Sequence, residues 1–225
     1  SFKIGFKKLK EFFFIFILIC FQGFMGWYMV SSGLVDRIDV SHFRLSIHLV
    51  IAFVILSLIL WNYLKLQNIN FSTITLNKFI PLIFLLLIFS QITIGAFVSG
   101  MDAGKIYNSW PLMGTSYFPN DNNFTNLFSL KAFSDPSLVQ FMHRNLAYFI
   151  MGFYLLILIM VYKKKITNLF FITKIVGFLL LIQIILGILT LLYGAQIFLA
   201  SMHQISSIFL VSSTIYFLYL NKNSN

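Results

Sequence analysis

The chain has 225 residues, of which 59% are hydrophobic and 10% charged, with a mean hydropathy of +0.90. A soluble domain of this length carries roughly 45–50% apolar and about 25% charged residues, so the composition excludes a soluble globular protein and points to an integral membrane one. Lys and Arg number 16 against 6 Asp and Glu, for a net charge of +10; in a soluble chain this balance would point to nucleic acid, but in a membrane chain it reports topology, and no nucleic-acid partner is expected.

A spanning helix needs about 20 mostly apolar residues. Taken in chain order, such windows cover residues 12–31, 45–64, 79–99, 138–162, 175–194 and 198–220. None holds Asp, Glu or Lys, and only the fourth holds Arg. The predicted fold class is therefore all-α integral membrane, with six transmembrane helices. The first apolar run is long and lacks a small-residue cleavage site, so it reads as a span and not as a signal peptide. The single cysteine, Cys20, lies inside that run. It allows no internal disulfide and no cysteine metal cluster, and is expected to be a small buried hydrophobe.

The basic residues assign sides to the loops. Lys3, Lys7, Lys8, Lys10, Lys65, Lys78, Lys163, Lys164, Lys165, Lys174 and Lys222 fall on one side, 11 in all, and Arg37, Arg44, Lys105, Lys131 and Arg144 on the other. The positive-inside rule then puts both termini on the cytoplasmic or matrix side, and the lysine runs are secondarily a site for anionic membrane lipid. The longest outward loop, residues 101–137, shows no obvious secondary structure; a loop of that length is more often functional or disordered than a plain connector. Its Tyr107, Trp110, Tyr117 and Phe118 point to a segment folded back over the bilayer surface, each one singly consistent with an interfacial aromatic belt.

The spans repeat. Gln22, Gly26 and Gly33 of the first recur as Gln183, Gly187 and Gly194 of the fifth, at the same offsets of four and seven, which place the three on one helical face. Each set is followed by a short outward loop and a span with a histidine near its start. The third span carries a partial echo, Gln91 and Gly95. Small residues also serve close packing in membrane helices, but the shared glutamine and downstream histidine favour duplication. If the repeat unit is four helices, spans three to six form one unit and spans one and two form half of another. An N-terminal pair of helices is then expected to precede Ser1, in keeping with the absent initiator Met.

Of the four histidines, His48, His143 and His203 lie about five residues inside the outward ends of their spans, some 7 Å at about 1.5 Å per residue. Intramembrane ionisable groups are functional suspects, as ligands or as proton relays. Two histidines at one depth on neighbouring helices can clamp a flat macrocycle from both faces, which makes His143 and His203 candidate bis-histidine heme-iron ligands. Glycines on the intervening helices, Gly95 with Gly100 and Gly187 with Gly194, would give a porphyrin room. Zinc would want a third or fourth ligand, and no Cys, Glu or Asp lies at that depth. His42 is expected to be an exposed loop histidine. Arg144, next to His143, and Arg44, one turn before His48, are candidate propionate partners because a guanidinium fork matches a carboxylate; snorkelling to the interface is the alternative for both.

Several separated segments resemble the heme A synthase family in its proteobacterial and mitochondrial form: GWYMVSSGL at residues 26–34, RLSIHL ending at Leu49, GAFVSGMDAGKIYNSWPLMG at 95–114, QFMHRNLAY around His143 and LASMHQ around His203. The resemblance implies two similar four-helix halves and an oxidoreductase that hydroxylates the C8 methyl of heme O twice, giving the formyl group of heme A for cytochrome oxidase. It implies heme b as cofactor in residues 79–225, held by His143 and His203 and serving electron relay. It implies heme O as substrate in residues 1–78, at His48. Heme O synthase and an unidentified electron-transfer partner are the implied associates, and a bacterial inner (cytoplasmic) membrane or mitochondrial inner membrane the implied location. The family's first two helices, with a Glu-Tyr-x-x-His-Arg-like motif that supplies the partner of His48 and a catalytic acidic residue, have no counterpart here, so the catalytic residue is unassigned and the chain alone is expected to be impaired. The same histidines would serve a membrane electron-carrier cytochrome, and proton-relaying histidines a heme-free transporter or assembly partner.

Overall fold

The computed structural model describes residues 6–33, 40–67 and 74–222. Lys3, Leu34 and Arg37, used above, lie outside the described residues. Six helices run through it: α1 (Phe6–Gly33), α2 (His42–Leu64), α3 (Phe79–Gly100), α4 (Pro136–Lys163), α5 (Thr167–Leu192) and α6 (Ile197–Leu220). All six are long and apolar enough to cross a membrane, and among the described residues the only β pairing is an isolated bridge between Met113 and Ser116. The chain is thus an all-α, multi-pass membrane protein.

Two helices start well before their apolar windows. α1 takes in Lys8, Lys10 and Glu11, and α5 begins at Thr167 and takes in Lys174. Hydropathy marks the hydrocarbon depth, whereas the helical hydrogen-bond ladder continues through the interface, where lysine stems reach water. At the inward end Glu11 and Lys65 pair at 2.9 Å, joining α1 to α2. α4 starts sharply because the Asp135 carboxylate accepts the Leu138 N–H at 3.0 Å and Pro136 fills the first turn, where its missing donor costs nothing.

Helices α3 to α6 close a ring: α3 packs on α4, α4 on α5, α5 on α6 and α6 on α3. The α1–α2 hairpin joins from outside, α2 lying against α3 and α6 and α1 against α2. A four-helix bundle with one further hairpin is the arrangement the repeat predicts. The tightest core lies in the inward half, around Phe84, Ile157, Leu169, Val211 and Phe217. At the inward end Asn221 accepts the Leu76 N–H at 2.8 Å and donates to the Leu76 carbonyl at 3.1 Å, tying the lead-in of α3 to the end of α6. Cys20 differs from expectation: it is exposed, on a helix whose main packing among the described residues is against α2.

The outward segment between α3 and α4 is built, not featureless. Short 3-10 turns cover Ala103–Lys105, Phe124–Phe128 and Leu130–Ser134, and Ala103, Met113 and Ala132 are buried. Asn108 ties it to the end of α5, donating to the carbonyls of Gly104 and Leu191 at 2.8 Å each.

Candidate functional site

His48 is the seventh residue of α2, His143 the eighth of α4 and His203 the seventh of α6. All three therefore sit near the outward ends of their helices, roughly 9–10 Å along the axis at about 1.5 Å per residue. Each packs against a glycine on the preceding helix. A Cβ built on Gly26 would stand 3.2 Å from His48 Cε1, on Gly95 3.0 Å from His143 Cε1, and on Gly187 3.1 Å from His203 Cε1. Four residues before each glycine is a glutamine whose Nε2 lies within reach of the ring Nε2: Gln22 to His48 and Gln91 to His143 at 3.3 Å, Gln183 to His203 at 3.4 Å.

The three hairpins α1–α2, α3–α4 and α5–α6 thus share one unit, and the echo in the third span is complete in space. An offset of four stacks glutamine and glycine on one face of the first helix, and the second helix delivers the histidine to that face. Gln91 Nε2 also donates to the His143 carbonyl at 3.0 Å, and Gln183 Nε2 to the His203 carbonyl at 2.9 Å. Ser206 Oγ donates to Gln183 Oε1.

The two other glycines of the expected stripes have different roles. Gly194 lies just past α5 with φ +66°, a left-handed residue that ends the helix. A Cβ on Gly100 would stand 2.8 Å from both Cα and Cβ of His42, so this glycine admits the start of α2 and not a porphyrin. His42 itself is the first residue of α2, not a loop residue. Its ring packs edge-on to Phe97 at 5.5 Å, and its Nε2 is buried without a hydrogen-bond partner.

Arg144 is committed to the outward segment. Its Nη1 donates to the carbonyls of Ser109 at 2.9 Å and Leu112 at 3.3 Å, and its Nη2 to that of Tyr107 at 3.0 Å, while Nε is buried without a partner. Gln140, one turn earlier on α4, adds a bond to the Tyr107 carbonyl at 3.1 Å. Trp110 Nε1 donates to Tyr148 Oη at 2.9 Å, and Tyr117 Oη donates to Asn145 Oδ1. These aromatics fasten the segment to α4 over the histidine end of the bundle. Arg44 sits with its Cζ 4.7 Å from the Tyr28 ring centroid, a cation–π contact between α2 and α1.

Asp121, which sequence reasoning passed over, centres the segment's polar network: it accepts Tyr107 Oη at 3.0 Å and Ser137 Oγ at 2.6 Å. Burial pushes its carboxyl up, but the hydrogen bonds of Ser137, Tyr107 and Asn122 outweigh burial and hold it below the ordinary carboxylate range. Burial, followed by the bond to and charge of Asp121, pushes the Tyr107 phenol up.

The donor set can be tested against a heme. His143 and His203 lie in one closed bundle, each near the same end of its helix. Their Nδ1 atoms, like that of His48, are buried without a partner. Among the described residues no three His, Cys, Asp or Glu side chains converge as a metal cluster would require. Two imidazoles, each backed by a glycine, are the donor type that would hold a heme iron. His48 has the same glutamine and glycine surroundings, supplied by α1.

The sequence model of the COX15-CtaA family, described as cytochrome oxidase assembly protein, matches residues 2–215. Curated relatives named heme A synthase are similar along nearly the whole chain. The protein of Pelagibacter ubique is 48% identical, covering 100% of this chain and 67% of its own length. That of Rickettsia bellii is 42% identical over 97% and 66%, and that of Rickettsia prowazekii 42% over 96% and 65%. The chain spans about two thirds of the length of these relatives.

Proposed function

The chain belongs to the COX15-CtaA family of cytochrome oxidase assembly proteins, and on that premise we propose that it works in heme A biosynthesis, as a heme A synthase oxidising the C8 methyl of heme O to a formyl group by two successive hydroxylations. The observation that carries the reading is the glutamine–glycine–histidine unit present in three hairpins, two of which close one bundle. Residues 79–225 would then be the heme b unit, which His143 and His203 would hold, and residues 1–78 would belong to the half for substrate heme O, which His48 would hold. Heme b, when bound, supplies reversible one-electron transfer.

The chain's own residues supply position and enclosure. His143 and His203 present their imidazoles from α4 and α6, and the missing side chains of Gly95 and Gly187 leave room for the Cε1 edges of those rings. Arg144, Trp110 and Tyr117 fasten the outward segment over the bundle end and so restrict water there. Arg44 and the remaining Arg144 Nε–H are the candidate propionate donors, since a guanidinium matches a carboxylate. The excess of lysine at the inward helix ends supports a cytoplasmic or matrix position for both termini in an inner membrane. Heme O synthase and a separate electron donor are the partners this chemistry requires.

A second reading, a bis-histidine electron-carrier cytochrome, is favoured by one observation: the α3–α6 ring holding His143 and His203 is closed by itself, with the His48 hairpin outside it. The two part on product. Co-expressed with a heme O synthase in a host lacking its own heme A synthase, the protein should yield hydroxylated heme O or heme A, identified by mass. Heme O accumulating unchanged beside a low-spin heme signal would select the carrier. Absence of any heme absorbance, with His143→Ala indistinguishable from wild type, would reject both.

A further inference from the structure

We propose that the α4–α5 turn and the exposed face of α5 form a binding site for an anionic phospholipid of the inward leaflet; the inference stands apart from the heme reading. The lysine-rich side of the chain holds 11 basic residues and a single acid, Glu11, while the other side holds five of each, so the whole +10 falls on one side. At that end Glu11 is taken by Lys65 at 2.9 Å, and the other ion pair among the described residues, Lys105–Asp102, lies at the opposite end. The positive-inside rule accounts for lysines near the ends of spans. It asks neither for a tight cluster nor for a lysine set into the side of a span, and α4–α5 has both.

Lys163 ends α4, α5 opens at Thr167, and the connection between them holds Lys164 and Lys165. Buried Val161 and Ile166 pin it, the Ile166 N–H donating to the Val161 carbonyl at 3.1 Å, and Tyr162 stacks on Phe170 at 4.5 Å across the two helices. Three like charges are thus held together, all exposed, with no acid among the described residues paired to them. The N-cap residue Ile166 gives α5 no side-chain cap, so the positive end of that helix adds to the same spot. Lys174, also exposed, stands seven residues past Thr167, roughly 10 Å along the axis at about 1.5 Å per residue. It is the last charged residue before the apolar run 175–194. It shares one helical face with Phe171, Phe178 and Leu181, which are 74%, 64% and 52% exposed. Helical side chains lean toward the helix N-terminus, so the Lys174 ammonium snorkels toward the turn and its lysines. A phosphate between Lys174 and the turn would meet ammonium groups on both sides, and the acyl chains below it would lie along Phe178 and Leu181. Free phosphate or an acidic protein segment would use the lysines and not that apolar track; a phospholipid uses both.

The test uses the full chain in phosphatidylcholine nanodiscs, with Cys20→Ser and with Leu181→Cys carrying a fluorophore on the proposed track. Phosphatidylglycerol or phosphatidylcholine bearing a nitroxide on its acyl chain is titrated in, and quenching reports occupancy. Phosphatidylglycerol should quench at about tenfold lower mole fraction, and Lys164→Gln or Lys174→Gln should each weaken that preference about fivefold. Lys164→Arg and Lys174→Arg should keep it. Lys8→Gln with Lys10→Gln, which removes charge from α1 at the same end, should leave it close to wild type. Equal quenching by the two lipids at the native lysines would make them topological marks only and overturn the proposal. An equal loss in the α1 variant would mark a diffuse surface potential and overturn it as well. Displacement of labelled phosphatidylglycerol by millimolar inorganic phosphate would assign the cluster to a soluble anion and overturn the lipid site. The native lysines also test the charge without replacement: raising salt from about 0.1 to 1 M shortens the Debye length from about 10 to 3 Å and should narrow the gap between the lipids, and a gap indifferent to salt overturns a charge-held site.

Discussion

Gly95 and His143 are matched in space: a Cβ on the glycine would stand 3.0 Å from the imidazole Cε1, so the ring lies where any other side chain would begin. The relation opposes two energies. Alanine in a helix interior is favoured over glycine by about 1 kcal/mol, yet Gly95→Ala must push the imidazole aside. We expect this variant to melt no lower than wild type while retaining less low-spin heme per protein, and Gly95→Val to lose most of it. A Gly95→Val protein with full heme content and an unchanged spectrum would show that the ring is not positioned by this contact.

Arg144 closes the outward segment onto α4 through three carbonyls. Hydrogen bonds from charged groups are worth roughly 1.5–3 kcal/mol each before relaxation, so Arg144→Ala should lower the opening free energy of residues 107–112 by about 2–3 kcal/mol. Amide exchange there should accelerate by roughly two orders of magnitude, since about 1.4 kcal/mol is a factor of ten. Arg144→Lys, with a single ammonium, should recover part of this. If exchange is unchanged and the heme potential moves instead, the arginine serves a propionate and not the segment.

The six spans were legible because hydrocarbon depth imposes about 20 apolar residues on each, and the offset of four between glutamine and glycine was legible because helix periodicity is local. What the glutamine touches was not. Gln91 and His143 are 52 residues apart in sequence, and nothing in either span states which rotamer meets which ring. Glycine identity misled for a similar reason: Gly95 and Gly100 read alike, but one meets an imidazole and the other the backbone of α2. Adjacency to His143 did not disclose what Arg144 touches: consecutive helix positions point about 100° apart at 3.6 residues per turn, so Arg144 faces a different element from its neighbour, here the carbonyls of the outward segment.

Asp121 and Tyr107 give that segment a pH dependence of definite sign. The Asp121 carboxyl lies below its ordinary pKa of 3.8 in the folded protein, so its contribution is complete above that value and is lost as pH falls below it. The Tyr107 phenol is raised above 10.0, so its contribution is complete below 10 and is lost as pH climbs past the folded value. Proteolytic resistance of residues 101–135 should therefore be flat through neutral pH and decline at both extremes. Asp121→Asn should abolish the acid limb. Persistence of that limb in the asparagine variant would assign it to another carboxylate, with Asp135 at the α4 N-cap next in line.

Gly177 on α5 and Tyr154 on α4 test whether the inward core holds these two helices in place. A Cβ on Gly177 would fall 2.0 Å from Tyr154 Oη and 2.5 Å from Cζ, a clash that no adjustment of a few tenths of an ångström relieves. Tyr154 must then leave its slot and give up its bond to the Thr173 carbonyl at 3.0 Å. Overpacking costs about 1–3 kcal/mol and a buried hydrogen bond about 1 kcal/mol, so Gly177→Ala should destabilise the bundle by roughly 2–4 kcal/mol in a reversible detergent unfolding assay. Tyr154→Leu removes the obstacle, and adding it to Gly177→Ala should cost less than the two changes summed, because contacting residues couple by about 0.5–3 kcal/mol. Strict additivity would mean that the α4–α5 contact is not set by this pair, and the bundle geometry at the level of His143 and His203 would then depend on the α3–α4 and α5–α6 hairpins alone.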